Sequence, residues 1–367
     1  MKEIIFVINP GSTSTKVAVF KGEEEVWQDT IKHSIEELGR FDRIIDQLEW
    51  RRELILNAIK KAGFKIGDFD CIVARGGAGL DPIPGGVYKI DEVMVEDLEQ
   101  GKNAEHASNL AGIIAYRLAK EYHLPALTVD PITVDEFEPV ARLSGLPELS
   151  RRCQSHALNL KAIARRTAKD LGGKLEEINL IGVHLGGGIS VAPLKGGRIV
   201  DVNNANQGGP YSPERTGTLP VMDLVDYIYR EKPSRDALKK KLVGKGGLTA
   251  YLGTNDCQKI EQMIEQGDKK AELAYQGMIY QIAKEIGAMA TVLLGEVTAI
   301  FITGGLARSE YIVEGIKSRV SFIAPVLVYP GAEEMNHLAW GAIRVLSGKE
   351  KVKIYARERL KVGDLDD

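Results

Sequence analysis

One stretch of this chain lies over another without a gap. A shift of 174 residues sets IIFVINPGSTSTKVAVFKG, residues 4–22, over INLIGVHLGGGISVAPLKG, residues 178–196. Each copy reads as an apolar strand, a turn of small residues, a second strand and a Lys-Gly turn. Val17, Ala18, Lys21 and Gly22 fall on Val191, Ala192, Lys195 and Gly196. A repeat at nearly half the chain length predicts two similar domains, each opening on a β-hairpin whose turn faces the space between them. The length of 367 residues agrees, because it exceeds what one hydrophobic core organises comfortably.

The rest of the pattern is α/β. Short apolar runs at residues 4–8, 17–20, 71–73, 126–129, 178–183, 189–191, 299–302 and 326–329 predict strands, several too continuously apolar to be half exposed. Helical periodicity separates them. A helix is predicted over residues 47–62, with Leu48, Leu54, Ile55, Ala58, Ile59 and Ala62 on one face and Gly63 as its stop. A second is predicted over residues 104–122, with Ala107, Leu110, Ala111, Ile114 and Leu118 on one stripe. Strands alternating with helices give the α/β class.

Charge removes several function classes. The formal net charge is −3 and no block of like charge stands out, so neither nucleic acid nor an anionic membrane surface is an expected partner. No apolar run is long enough to span a bilayer, and the first residues lack the apolar core of a signal peptide. The three cysteines, Cys71, Cys153 and Cys257, have no metal-ligand spacing and an odd count, as expected of free thiols in a reducing compartment. A cytoplasmic location is the expectation.

Three turns have the composition of phosphate or nucleotide cradles. Residues 9–16, NPGSTSTK, place small residues, hydroxyls and one cation between two strands. Backbone N–H groups can approach an anion closely there, and each charge-assisted hydrogen bond contributes roughly 1.5–3 kcal/mol; a hairpin turn rich in Ser and Thr is the alternative. Gly186, Gly187 and Gly188 follow His184 in the second hairpin, a run whose cost in chain entropy implies a close approach to the backbone. Gly304 and Gly305 make a third turn after a strand. Neither G-x-x-x-x-G-K-[ST] nor a strand-terminal G-x-G-x-x-G is present, which argues against a P-loop or dinucleotide fold.

These turns resemble motifs of the acetate and butyrate kinase family, in the actin, sugar kinase and Hsp70 superfamily. NPGSTSTK resembles its first phosphate motif, HLGGGIS its second, and TGGLARS its adenosine motif. VARGG (73–77), TVDPITVDEF (128–137), SRRCQSH (150–156), YSPERTG (211–217) and YPGAEEM (329–335) follow in the family's order, so the resemblance spans nearly the whole chain. GGG in place of GNG, the PYSPERTG stretch and the shorter length are similar to the butyrate kinase branch.

The resemblance implies two similar actin-like, ribonuclease H-like domains flanking a nucleotide cleft. The first comprises residues 1–150 with 331–367 and the C-terminal helix; the second comprises residues 151–330 and carries most of the ATP contacts. It also implies reversible transfer of the ATP γ-phosphoryl group to a short-chain fatty acid, giving an acyl phosphate and ADP. A carboxylate is already ionised at neutral pH, so no general base is needed; the protein has to hold two anions in line and neutralise charge on the moving group.

By resemblance, Arg75, Asp130, His156 and Arg215 are the catalytic residues. Arginine suits the task because its permanently charged fork holds carboxylate and phosphoryl oxygens alike. Asn9, Ser12, Ser14, Lys16, His184, Gly186, Gly187, Gly188, Gly304 and Gly305 are expected to bind ATP or ADP. Glu333 and Asn9 are expected to serve Mg2+, with Glu334 as the alternative acid, since one or two protein oxygens suffice beside the phosphates. The competing readings are a surface ion pair for Arg75, a turn aspartate for Asp130, a surface charge for Lys16 and a strand anchor for His184; His106, in AEHAS, resembles another histidine of the family, with a helical packing role as its alternative. Ser155 stands where acetate kinases have Phe, which leaves room for a longer acyl tail. Acetate, propionate and branched acids remain alternative substrates. An actin-like or Hsp70-like nucleotide switch is a different class of alternative, and a homodimer or larger homo-oligomer is expected.

Overall fold

The structure, a computed structural model, describes residues 2–359; Met1 and residues 360–367 of the expected C-terminal segment lie outside the described residues. The chain divides into two compact units, Met1–Asp135 with Glu333–Asp367, and Glu136–Ala332. Residues 136–150, expected with the first domain, group with the second unit. Lys161 Nζ lies 2.7 Å from Glu136 Oε2, and the N–H of Glu138 donates to Val200 O.

In the first unit, β1 (Ile4–Pro10), β2 (Ser14–Lys21) and β3 (Glu24–Lys32) form an antiparallel meander. Then β4 (Cys71–Ala74) and β6 (Ala126–Val129) continue the sheet parallel to β1, and β5 (Val87–Lys89) pairs antiparallel with β6. In the second unit, β7 (Asn179–Leu185), β8 (Ile189–Lys195) and β9 (Arg198–Ile199) repeat the meander. There β10 (Ala299–Gly304) and β11 (Val326–Pro330) continue parallel to β7. Finally β12 (Lys353–Ile354) returns to the first sheet beside β5.

The sheet orders are β12-β5-β6-β4-β1-β2-β3 and β11-β10-β7-β8-β9. Reading outward from β1 and from β7 gives the same arrangement, an antiparallel hairpin partner on one side and parallel strands on the other. The sequence repeat is therefore a repeat of topology. The turns differ by one residue, however. Pro10↔Thr15 is the last pair of the first hairpin, leaving residues 11–14 in the turn, whereas Leu185↔Ile189 leaves only 186–188. The gapless match thus aligns the strands while the pairing register slips by one.

The central strands of both sheets are covered on both faces, which is why they are continuously apolar, whereas the edge strand β3 is largely exposed. In the first unit, helices Leu48–Lys61 and Asn109–Tyr122 bury Ile55, Ile59, Ile113 and Ile114 against Phe6, Ile8 and Ile72. Helix Glu334–Leu346 packs on β1, β4 and β6. Its Gly341 makes that approach possible, because a Cβ there would sit 2.5 Å from Val129 Cγ2. In the second unit, helix Lys269–Val292 packs on β7 and β8, and helix Ala157–Asp170 on β7 and β10. The helix predicted from residue 104 begins at Asn109, so His106 lies in the preceding turn rather than in a helix. Among the described residues, no helix is long and apolar enough to cross a membrane.

Candidate active site: residue clusters built on strand ends

In the first unit, the carboxyl ends of β1, β4 and β6 present Asn9, Arg75 and Asp130. Parallel strands in register bring these ends side by side: Ile8 pairs with Ala74, and Ala74 with Thr128. Arg75 N donates to Ile8 O at 3.0 Å, which extends the β1–β4 ladder by one residue and fixes where the side chain departs. Glycine at position 76 is required, because a Cβ would lie 2.2 Å from Pro131 Cβ.

The start of helix Glu334–Leu346 completes this cluster. The Arg75 guanidinium pairs with Glu334 Oε1, and Asn9 Nδ2 donates to Glu334 Oε2 at 2.9 Å. Of the two adjacent acids, Glu334 joins Asn9 and Arg75, while Glu333 is solvent exposed. Glu333 caps the helix with φ 38°, and Asp130 has φ 37°. The described residues include three other non-glycine residues with positive φ, His123, Lys232 and Leu294. All three close helix C-termini, a routine use of the left-handed conformation. Asp130 and Glu333 have no such excuse, and backbone strain of this kind concentrates at working sites.

Asp130 is buried and tied to a neighbouring turn. Its Oδ1 accepts from Gly86 N at 2.7 Å, and its own N–H donates to Gly86 O. His106 keeps solvent contact, and its Nδ1 accepts from Ser108 N at 3.1 Å. Partial desolvation of the ring, then the positive fields of Arg75 and Arg51, lower its pKa.

In the first turn, Ser12 and Lys16 are exposed and Ser14 half buried. Behind the turn lies a residue the sequence reading passed over. Arg51 is 1% exposed and donates through Nη1 to Gly11 O at 2.9 Å and to Thr15 Oγ1 at 3.1 Å. Thr15 Oγ1 also lies 2.9 Å from His33 Nε2. A signal existed: position 51 falls between Leu48 and Ile55 on the apolar stripe of its helix, where a cation needs a reason.

Burial and the Arg51 charge lower the His33 pKa to about 4. The unfolded chain takes up this proton near pH 6.5, and the folded protein refuses it until about 4. Stability is therefore complete above pH 6.5 and falls as pH drops toward 4, by on the order of 2 kcal/mol between pH 7 and 5. Urea midpoints at the two pH values measure it. His33→Gln is expected to flatten the difference, and an unchanged difference would refute the assignment.

In the second unit, Gly186, Gly187 and Gly188 link β7 to β8. Protein side chains make the close approach inferred from these glycines. A Cβ at Gly186 would lie 3.2 Å from His184 Nε2, at Gly187 2.9 Å from Glu214 Oε1, and at Gly188 2.4 Å from Arg215 Nη1. Ser212 holds the turn to the arginine segment: its Oγ donates to Gly187 O at 2.5 Å and accepts from Arg215 N at 3.1 Å. Arg215 Nε is buried and, among the described residues, meets no hydrogen-bond partner. Burial lowers the guanidinium pKa, and Glu214 partly offsets this.

His156 and His184 stack, with ring centroids 3.9 Å apart and 13° between planes. Asn159 Nδ2 donates to Ala332 O, so its Oδ1 is the acceptor, and His184 Nδ1, 2.7 Å away, carries a proton. His156 Nδ1 lies 2.9 Å from Ser190 Oγ. Two imidazolium ions in face contact would repel. Gly304 has φ 93° and its Cβ would meet Leu185 O at 2.2 Å, so glycine there is a backbone necessity. Gly305 is exposed with open space around it, suited to an approaching ligand.

Asn9 and the adjacent glutamates offer hard oxygen donors, the type Mg2+ requires. Among the described residues no group of three His, Cys, Asp or Glu side chains could hold a metal alone. The residues therefore fit a cation whose remaining ligands come from water and phosphate.

Residues 147–324 match the acetokinase family. The chain is 53% identical over 351 residues to a protein described as probable butyrate kinase 2 from Caldanaerobacter subterraneus subsp. tengcongensis, covering 96% of this chain and 99% of that protein. The fold is that of acetate kinase from Porphyromonas gingivalis, with TM-score 0.76, 18% identity and coverage of 94% of this chain and 100% of that one. It is likewise that of a propionate kinase from Francisella tularensis, with TM-score 0.71, 16% identity and coverage of 92% and 98%. The chain belongs to the acetokinase family, and its activity is that of an ATP-dependent carboxylate kinase.

Proposed function

We propose that this kinase phosphorylates butyrate and acids of similar length, forming the acyl phosphate and ADP, and runs the reaction in either direction according to supply. The observation that carries the reading is the 53% identity over nearly the whole chain to a probable butyrate kinase. We further take it to act in the cytoplasm as a homo-oligomer.

In this reading Arg75 grips the acid carboxylate, and the Glu334 pairing holds the guanidinium in a single orientation until the acid replaces it. Ser12, Ser14 and Lys16 hold phosphoryl oxygens through hydroxyl, backbone N–H and ammonium groups. Arg215 lies over the second turn, with a buried charge that an incoming phosphate would neutralise. The stacked histidines donate one proton-bearing edge to the phosphoryl group. Asp130 keeps the β5 and β6 ends fixed beside Arg75. Gly304 and Gly305 leave room for the nucleoside. Asn9 with Glu333 or Glu334 would hold Mg2+, which would neutralise phosphate charge.

Ser155 supports acceptance of a longer tail. It is buried, and its Oγ meets no partner among the described residues. A small residue immediately before His156 leaves volume that a ring would fill. The test is ADP production from MgATP with acetate, propionate, butyrate, isobutyrate and valerate, with acyl phosphate trapped as the hydroxamate. Turnover should peak near four carbons. Ser155→Phe should shift kcat/KM from butyrate toward acetate by at least about tenfold, the scale of one methylene in a fitted pocket. Equal loss on every acid would deny Ser155 a role in acyl selection.

A further inference from the structure

Arg51 is a buried cation without an anionic partner. Among the described residues its guanidinium meets no carboxylate; its four contacts are all neutral oxygens, Gly11 O, Ser12 O, Thr15 Oγ1 and Gln47 Oε1. Such an arrangement is costly. Burial alone lowers its pKa to about 10, so the fold maintains the charge against desolvation rather than relieving it. A neutral side chain of similar size would satisfy the core at less expense.

The contacts explain the expense. Gly11 O and Ser12 O both point to the guanidinium, at 2.9 and 3.4 Å. In a trans peptide the carbonyl and the following N–H point in opposite directions. The N–H groups of Ser12 and Thr13 therefore face away from Arg51, on the exposed side of the turn, and neither has a partner among the described residues. Successive outward N–H groups form an anion-binding concavity. Gly11 N to Ser14 O at 2.7 Å closes the turn, and His33 N to Thr13 O at 2.9 Å ties its far side to β3. Thr15 Oγ1 accepts from Arg51 and lies 2.9 Å from His33 Nε2, on a ring that its depressed pKa keeps neutral.

We propose that Arg51 is the positioning residue of the first phosphate turn: it pins the turn's carbonyls inward, aims the Ser12 and Thr13 N–H groups at a terminal phosphoryl group, and supplies positive potential behind them. This rests on the carboxylate kinase reading and adds to it a residue outside the three turns. The nucleotide group recognised is the terminal phosphate of a triphosphate, so Arg51 discriminates ATP from ADP without touching either.

The test compares wild type with Arg51→Gln by titration with ADP and with a non-hydrolysable ATP analogue, in the presence of Mg2+ and without acid. Arg51→Gln should weaken the analogue about tenfold or more, because the Ser12 and Thr13 N–H groups lose their aim and the positive potential behind them, and leave ADP within about twofold. With butyrate, kcat should fall roughly 10- to 100-fold while KM for the acid stays put. Equal weakening of both nucleotides, or unchanged kcat with a lowered Tm, would make Arg51 merely structural and overturn the proposal. Should Arg51→Gln not fold, Thr15→Val keeps the shape and removes the shared hydroxyl. The same ATP–ADP split is expected there, and its absence would refute the idea. Because binding is read without acid, wild type that binds both nucleotides but turns over no acid contradicts the carboxylate kinase reading alone; Arg51 is still judged by the split.

Discussion

Arg75→Ala is expected to lower kcat/KM for butyrate by about three orders of magnitude, the scale on which a phosphoryl-transfer arginine acts. Two anions must meet for this reaction, and unit charges 4 Å apart repel by about 4 kcal/mol near a protein surface. In the proposed function Arg75 offsets that cost. It leaves the end of β4 beside Asn9, is about one-fifth exposed, and pairs with Glu334 Oε1. Arg75→Lys should recover only part of the activity, because a single ammonium lacks the planar fork. Glu334→Gln should cost less than Arg75→Ala, since it loosens the guanidinium without removing it. Steady-state kinetics on the purified variants decides this. A loss under tenfold for Arg75→Ala would reduce the residue to an ion-pair partner of Glu334.

Arg215→Ala should cause a loss of similar size, and Gly188→Ala should imitate it from the other side of the contact. The two are linked by space alone. A methyl group at position 188 would lie 2.4 Å from Arg215 Nη1 and 2.5 Å from Cζ, so the guanidinium has to leave. Gly188 has no positive φ, so alanine brings no backbone penalty of its own. Gly188→Ala is expected to lower kcat about 100-fold with little change in Tm. The double variant should be no worse than Arg215→Ala, because both changes remove the same interaction. Additive losses would show that Gly188 serves a second purpose.

The hairpins and their repeat were legible because they rest on local signals: apolar strands, turn residues and a fixed offset. Helix 47–62 was legible for the same reason, appearing as Leu48–Lys61. Positions set by long-range contacts were not. The helix expected from residue 104 starts at Asn109, where Asn109 Nδ2 donates to Ala104 O and Oδ1 accepts from Gly79 N. The glycine run in the second turn was legible, but not what crowds it: Arg215, Glu214 and His184 are brought there by folding. The His156–His184 stack joins residues that only the placement of helix Ala157–Asp170 against β7 puts in contact. Glu334 outranks Glu333 as partner of Asn9 because of helix phase, which two adjacent identical residues conceal. Arg51 alone broke a visible pattern, a charge on an apolar stripe, and it is the residue whose burial demands a function.

In a carboxylate kinase the acceptor of the phosphoryl group is a carboxylate oxygen. Butyrate labelled with oxygen-18 in both carboxylate positions, incubated with MgATP and the enzyme, tests it by phosphorus NMR of the product. A carboxylate acceptor predicts an acyl phosphate whose resonance carries the isotope shift of one bridging oxygen-18. Unlabelled inorganic phosphate as the only product, formed at the same rate with and without the acid, would mean that water is the acceptor and would contradict it.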